Sequence, residues 1–385
     1  MARTTHEVAD VIRLFGEELL AAGPVSPARR RVMRALVACR TARLGGHVEA
    51  CDACGYQRIA YNSCRNRHCP KCQAMKQAEW LEQREADLLP VEYFHVVFTM
   101  PEEIARIAQQ NKRAVYGILF AASAATLGSV AADPRHLGAE IGFLSILHTW
   151  SQDLRHHPHV HCVVPGGGLA PDGRWVSCRP GFFLPVRVLG ALFRGKFVSL
   201  LRGAFEAGEL QFQGALQDLQ DRGAFAACLD RAMATSWVVY SKPPFGGPLQ
   251  VLKYLARYTH RVAIGNRRIL GIDADGVTFR WRDRAHGDRA RTMKLSGVEF
   301  LRRFLLHVLP RGFQRIRHYG LLGNRARAVK LAVSRLALGA AIPEPSAVAP
   351  SPLVPTCDLC PRCRSGRMLR RPIAAVREVE VCDSS

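Results

Sequence analysis

The sequence is poor in acids and poorer still in lysine. Its 32 Asp and Glu face 54 Lys and Arg, only eight of them Lys, which leaves a formal charge of +22 and a pI near 10.1. Solubility needs no such excess. The arginine fork pairs bidentately with phosphate oxygens, so this composition points to a polyanion, nucleic acid before any other. A membrane surface would ask for the basic residues on one amphipathic helix, and here they are spread along the chain. Long apolar runs are also lacking: the most hydrophobic stretch, GILFAASAATLGSVAA, is short and dotted with Ser and Thr. The opening residues, MARTTHEVADVIRLFGEELL, read as an amphipathic helix interrupted by acids, not as a signal peptide, so the expectation is a cytosolic protein. No internal repeat is present. The 13 cysteines are an odd number at short spacings, which in a reducing compartment argues for metal over disulfides.

What is there suffices for one substantial core with smaller modules, since 48% of the 385 residues are hydrophobic. Four segments are expected. Residues 1–45 read as a basic helical lead, two helices parted by GPVSP. Residues 46–90 hold a cysteine-rich, DNA-contacting module followed by a polar helix. Residues 91–340 form the main domain, and 341–385 are a Pro and Ala linker with a cysteine-bearing tail. Within the main domain YFHVVFTM, IGFLSILHTW, PHVHCVV and SWVVYSK have strand character, and PEEIARIAQQNKRAVYGILF opens one long helix. Two helices fill 183–233. RRILGI and VTFRWRD flank DADG as a hairpin, a helix starts at Ser296, and FQRIRHYG is a basic strand.

The motif CDACGYQRIAYNSCRNRHCPKC places Cys51-x2-Cys54 fourteen residues before Cys69-x2-Cys72, close to the spacing of a four-cysteine zinc ribbon. Cys64 and His68 inside it, with His47 ahead of it, either complete a second zinc site or surround the first. Such a closed site stabilises a segment too small to fold on its own core. With Arg58, Arg65, Arg67 and Lys71 around it, contact with DNA is natural. In the tail, TCDLCPRCRSG offers Cys357, Cys360 and Cys363 as candidate zinc ligands, with Cys382 as a fourth; a tail with reactive thiols is the competing reading.

The stretch HHPHVHCVVPGGG gathers four imidazoles in six positions. Residues two apart on a strand share a face, so His159 and His161 project together while Val160 turns away. His148, near the end of the preceding strand, would come alongside them in a hairpin as a third ligand, with Gln152 and Asp153 as weaker candidates. His156 and His157, before Pro158, read as loop. Gly166, Gly167 and Gly168 supply backbone that another chain can approach closely. Three histidines with open positions suit Lewis-acid work on a phosphate. In LKYLARYTHR, Tyr254 and Tyr258 stand four apart on a helix face beside a ridge of Lys253, Arg257 and Arg261, which would hold phosphates next to phenols. The plain alternative is a core stripe of Val251, Leu255, Tyr258 and Val262.

Together these motifs resemble the HUH single-strand endonucleases, specifically the rolling-circle, two-tyrosine transposases of bacterial insertion sequences. The likeness runs from GGH at 45–47 through YNSCRNRHCPKCQ, YFHVVFTMP, HHPHVHCVVPGGG and YLARYTHRVAI to RIRHYGLLGN. It implies an α+β fold, an antiparallel-sheet core with helices on one side and a small zinc-binding module. It also implies His159 and His161 as ligands of Mg2+ or Mn2+, Tyr254 and Tyr258 as nucleophiles, and structural Zn2+. The partners would be single-stranded DNA at element ends and target DNA, in the bacterial cytoplasm and at the nucleoid, with Arg315 and Arg317 as further DNA contacts. Attack by tyrosine would leave a 5′-phosphotyrosine and a free 3′ hydroxyl. A plasmid or phage replication initiator or a relaxase would use the same chemistry. A non-catalytic, zinc-dependent DNA-binding regulator is the rival from another class.

Overall fold

The computed structural model describes residues 6–73, 76, 87–235, 237–242, 262–283, 287–340 and 359–375. Its centre is a five-stranded antiparallel sheet built from β3 (Tyr93–Thr99), β4 (Gly142–Trp150), β5 (His156–Pro165), β8 (Val239–Lys242) and β12 (Ile316–Gly320), in the order β12-β4-β5-β3-β8. β3 and β4 are buried at every position, so they read as apolar runs more than as alternation. One face is covered by α3 (Glu102–Gln110), α4 (Lys112–Ala132), α5 (Val186–Glu206) and α6 (Arg222–Ala234), with α3 and α4 against β5 and α5 against β8. Phe94, Phe98, Val160 and Val164 of the sheet meet Phe120, Phe193 and Phe197 of the helices in the main core. Each such side chain contributes about 1.5–3 kcal/mol when fully buried. This is the α+β arrangement expected, with helices on one side of an antiparallel sheet.

The long helix expected from Pro101 onward is two helices. Asn111 breaks it, because its side chain turns away to clamp a distant loop: Nδ2 donates to Gln211 O at 2.7 Å and Oδ1 accepts from Gln211 N at 2.7 Å. The second half, α4, is long and apolar enough to cross a bilayer. Val115, Tyr116, Leu119 and Phe120 of that helix are buried in the main core. The triple glycine is answered by the chain's own backbone. A Cβ on Gly167 would meet Val176 O at 2.5 Å, and one on Gly168 would meet Glu140 O at 2.5 Å, where β6 (Gly167–Leu169) pairs with β7 (Trp175–Ser177).

A second core joins the two halves of the sequence. α1 (Val8–Ala21) and α2 (Pro27–Ala38) pack with the three-stranded sheet β9 (Ile269–Asp273), β10 (Gly276–Asp283) and β11 (Arg289–Leu295), and with α7 (Gly297–Leu306). Ser26 and Ser296 cap α2 and α7, each accepting from the backbone N–H three residues on. Cys39, Cys69 and Cys72 lie in this core, and so does Trp150 from the end of β4. The hairpin β1 (Gly46–Cys51) and β2 (Gln57–Tyr61) receives a third strand, β13 (Met368–Ile373), from the carboxyl-terminal segment. α8 (Arg327–Ala337) follows β12.

Candidate functional site

Antiparallel register assembles the histidines. His148 of β4 stands opposite His159 of β5, and His161 lies two residues on, on the same face. One ring nitrogen from each of His148, His159 and His161 falls within 4.8 Å of the others. Ring contacts agree: His148 meets His161 edge-on at 4.5 Å and His159 at 5.5 Å between centroids. Of the third-ligand candidates, the structure brings in His148. Asp153 instead accepts from Arg155 at 2.5 Å and from Ser151. Burial pushes its carboxyl up, but Ser151 and Arg155 outweigh that and hold it below the usual range.

The outward nitrogens of the set are oriented from behind. His159 Nδ1 lies 2.7 Å from His157 O; only an N–H can donate to a carbonyl, so Nε2 is the ligand nitrogen of that ring. His161 Nδ1 contacts His95 Nε2 of β3 at 2.7 Å, with the two rings stacked at 5.0 Å. With its Nδ1 proton assigned to that contact, His161 likewise presents Nε2. His148 stacks on Trp150 at 4.7 Å. Two of the residues that orient the set were missed in the sequence: His95, hidden in an apolar strand, and His157, which acts through its carbonyl and belongs to a strand that starts at His156, not to a loop.

The set forms the floor of a cleft of about 480 Å³ lined also by Thr99, Trp150, Asp153, Arg155, Tyr240, Trp281 and Asp283. The donors fit a divalent cation: three imidazoles, aimed by a backbone carbonyl and a fourth histidine, with an open side toward the cleft. Nitrogen donors alone suit Mn2+ or a later transition metal better than Mg2+. Tyr254 and Tyr258, with Lys253, Arg257 and Arg261, lie outside the described residues. Tyr240 shares the cleft and meets His95 edge-on at 6.0 Å. Tyr319 is on the opposite face of its strand, stacked on Phe143 at 5.1 Å. Arg317 is turned to that face too, its guanidinium 4.2 Å from the Phe120 ring centroid and 5.4 Å from that of Phe313. Burial pushes Arg315 down to about 10. Arg317 thus packs on aromatic rings, and both Arg315 and Arg317 line a surface pocket with Gln314, His318 and Asn324.

The cysteines divide differently from the expected ribbon. Cys51 and Cys54 do not join Cys69 and Cys72. Cys39, Cys64, Cys69 and Cys72 form one set and Cys51, Cys54, Cys360 and Cys363 another, with the ligand atoms of each set within 4.8 Å of one another. The reason is the hairpin. Cys51 and Cys54 sit at its turn, and β2 returns the chain to the far end, where Gly46 pairs with Tyr61 and Arg40 N donates to Asn62 O at 3.0 Å. Five strand residues carry Cys64 and later positions about 16 Å from the turn, and deliver them beside Cys39. In the first set Cys39 and Cys72 are 3.5 Å apart, and Cys64 and Cys72 3.6 Å. Tetrahedral thiolates at a Zn–S distance of about 2.3 Å have edges of about 3.8 Å. Cys39 was missed because it precedes the motif by twelve residues, without a partner three positions away. His68 stands outside both sets, and burial pushes its ring down to about 3. His47 pairs with Glu49 at 3.2 Å. Cys357 and Cys382 lie outside the described residues.

Comparison with known proteins agrees with these parts. A family described as "Putative transposase" matches residues 142–329, which carry all three site histidines, and a "Transposase zinc-binding domain" matches residues 11–100. The chain is 57% identical to "Putative transposase y4qJ" of Sinorhizobium fredii over 380 residues, 96% of each chain. It is 25% identical over 317 residues to the transposase for insertion sequence element IS801 of Pseudomonas savastanoi pv. phaseolicola, covering 81% of this chain and 74% of that one. No solved structure matches the chain. With its zinc-binding domain, its histidine-floored cleft and this identity along nearly its whole length, the chain belongs to the insertion-sequence transposases, enzymes that process DNA.

Proposed function

We propose that this transposase nicks single-stranded DNA at the ends of its element and moves strands by a rolling-circle route through a 5′-phosphotyrosine. The observation that carries the reading is the convergence of His148, His159 and His161 on the floor of an open cleft, each on a sheet strand and two of them oriented from behind. A divalent ion held there, Mn2+ or Mg2+, would polarise the scissile phosphate. Tyr254 or Tyr258 supplies the phenol oxygen: a P–O bond forms to it, the bond to the 3′ oxygen breaks, and that oxygen leaves as a hydroxyl after taking up a proton. The phenol's ordinary pKa near 10 makes neighbouring cations necessary, and Lys253, Arg257 and Arg261 are the candidates. The covalent bond retains the energy of the broken phosphodiester, so rejoining needs no ATP, and the second tyrosine allows a second cut while the first end is held. Cys39, Cys64, Cys69 and Cys72 are the zinc ligands of the amino-terminal domain in this reading. Target DNA is the further partner, and the chain works in the cytoplasm at the nucleoid.

The test is a single-stranded oligonucleotide carrying an element end, incubated with Mn2+ and denatured. A covalent adduct with the DNA 5′ phosphate, absent without the divalent ion and absent from the Tyr254→Phe, Tyr258→Phe double variant, is the expected result. A double variant that still forms the adduct returns both residues to a core stripe, and no adduct from the intact protein leaves the DNA-binding regulator. Adduct formation without joining of element ends to target is the outcome for a replication initiator or relaxase.

A further inference from the structure

The amino-terminal domain match stops at residue 100, yet one of the two cysteine sets lies half beyond it. We propose that Cys51, Cys54, Cys360 and Cys363 form a second zinc site, a clasp that fastens the carboxyl-terminal segment onto the β1–β2 hairpin and makes β13 its third strand. Cys51 and Cys363 Sγ are 3.7 Å apart and Cys54 and Cys360 Sγ 3.6 Å. These are the edges of a tetrahedral thiolate set, far longer than the roughly 2.0 Å of a disulfide bond.

The two halves are built alike. Each is a Cys-x2-Cys turn whose first or second sulfur accepts backbone N–H groups: Ala53 and Cys54 N to Cys51 Sγ, both at 3.4 Å, and on the other side Arg362 N to Cys360 Sγ at 3.4 Å and Gly366 N to Cys363 Sγ at 3.3 Å. Donors aimed at sulfur favour thiolate, the form that binds metal. The halves are also locked together beside the sulfurs. Asp52 N donates to Arg367 O at 3.0 Å, and Arg367 N donates to Asp52 Oδ1 at 2.7 Å. Gly366 packs so closely that a Cβ there would stand 2.4 Å from Cys51 Sγ. Six residue pairs, Gly46 with Ile373 through Cys51 with Met368, then zip β13 along β1.

Apolar burial does little here: Leu359 and Leu369 are exposed, and Cys54 is exposed too. What holds residues 359–375 is one buried acid, Glu49, which accepts from Arg370 at 2.7 Å and also from Arg58, together with the strand ladder and the four thiols. The metal expected is Zn2+, a thiophilic ion in a closed four-sulfur set, structural and not catalytic. Its consequence is that an arginine-bearing segment, Arg367 with Arg370 and Arg371 of β13, is ordered only while the ion is bound.

The experiment measures zinc per chain in the purified full-length protein and, in parallel, the rate of trypsin cleavage after Arg364, Arg367 and Arg370. Intact protein should carry two zinc ions. The Cys360→Ser, Cys363→Ser variant should carry one and lose its tail to trypsin at least about tenfold faster, with the rest of the chain equally resistant. Gly366→Val keeps every thiol and should behave like the serine variant, because its side chain occupies the space of Cys51 Sγ. One zinc in the intact protein, or two in the serine variant, overturns the clasp; a count that the serine substitutions leave unchanged is the result required if Cys51 and Cys54 shared an ion with Cys69 and Cys72.

Discussion

The two cysteine sets each gather four sulfurs, in different settings. Cys39, Cys69 and Cys72 are buried in a core with Val32, Leu36, Phe300 and Phe304, whereas the clasp sits at a hairpin turn with Cys54 in solvent. A structural zinc in a small domain is worth about 10–16 kcal/mol in apparent binding energy, against a net stability of about 5–15 kcal/mol for a whole domain. Where the ion is embedded in a core, its loss removes more than the core can spare. Where it stands in place of a core, its loss frees only what it fastened. The core set also reaches the cleft: Trp150 belongs to that same core and stacks on His148, so the amino-terminal module backs the site it does not line.

Cys69→Ser should therefore have the largest effect of any single change. It should unfold the module, lower zinc content and abolish DNA cleavage together, seen as loss of near-ultraviolet circular dichroism and of a cooperative thermal transition. Cys363→Ser should keep both signals. If the two variants melt alike, the distinction between embedded and fastening ions is wrong. A graded chelator titration sharpens it further: a cation in the open histidine set should leave first, the clasp zinc next and the core zinc last.

Second in size is His161→Ala. Removing a ring from the middle of the three should take cleavage to background while single-stranded DNA binding changes little, since affinity comes from Arg and Lys contacts to phosphate. Filter binding and cleavage measured on one preparation check this, and near-normal cleavage would sink the histidine assignment. His95→Gln should cost less, about 10–100-fold, the usual price of an outer-sphere partner that orients a ligand. As a positioning residue it should act through metal affinity, so raising Mn2+ should restore much of its rate but none of the His161→Ala rate. Equal rescue of both would break that separation.

What was legible in the sequence follows from what is local. Period-two alternation placed His159 and His161 on one face, and a hairpin of ordinary length put His148 opposite them; these need only neighbouring strands. The strand positions were readable for the same reason; the glycines signalled a close approach, but it is made by Val176 and Glu140 of the same chain and not by another chain. The cysteine sets were not, because their partners come from 25 to 312 residues away and depend on where a hairpin and a returning tail place the chain. His95 was invisible in a run of buried residues, where a polar ring gives no period of its own. Asn111 looked like a helix residue because its competing partner, Gln211, lies a hundred positions on.

The smallest effect should come from the tyrosine that shares sequence with the family motifs but not the face of the site. Tyr319 belongs to RIRHYG and pairs with Phe143, whose side chain enters the helix-covered core, so strand parity puts its phenol on the far side of the sheet from His148. Burial raises its pKa, against the pull of Arg317, which disfavours the phenolate a nucleophile needs. Tyr319→Phe should keep the ring stacked on Phe143, change stability by no more than about 1.5 kcal/mol for one lost hydrogen bond, and leave adduct formation within about twofold of the intact protein. Tyr240 is the sharper control, since it lines the cleft beside the histidines. Tyr240→Phe should still form the adduct, because the proposed nucleophiles are Tyr254 and Tyr258; among the described residues the Tyr240 ring meets His95 and Lys242. Peptide mapping of the trapped adduct decides between the three positions: phosphotyrosine at Tyr254 or Tyr258 keeps the assignment, phosphotyrosine at Tyr240 moves the nucleophile onto the sheet itself, and phosphotyrosine at Tyr319 would mean that the wrong face of the sheet has been taken for the site.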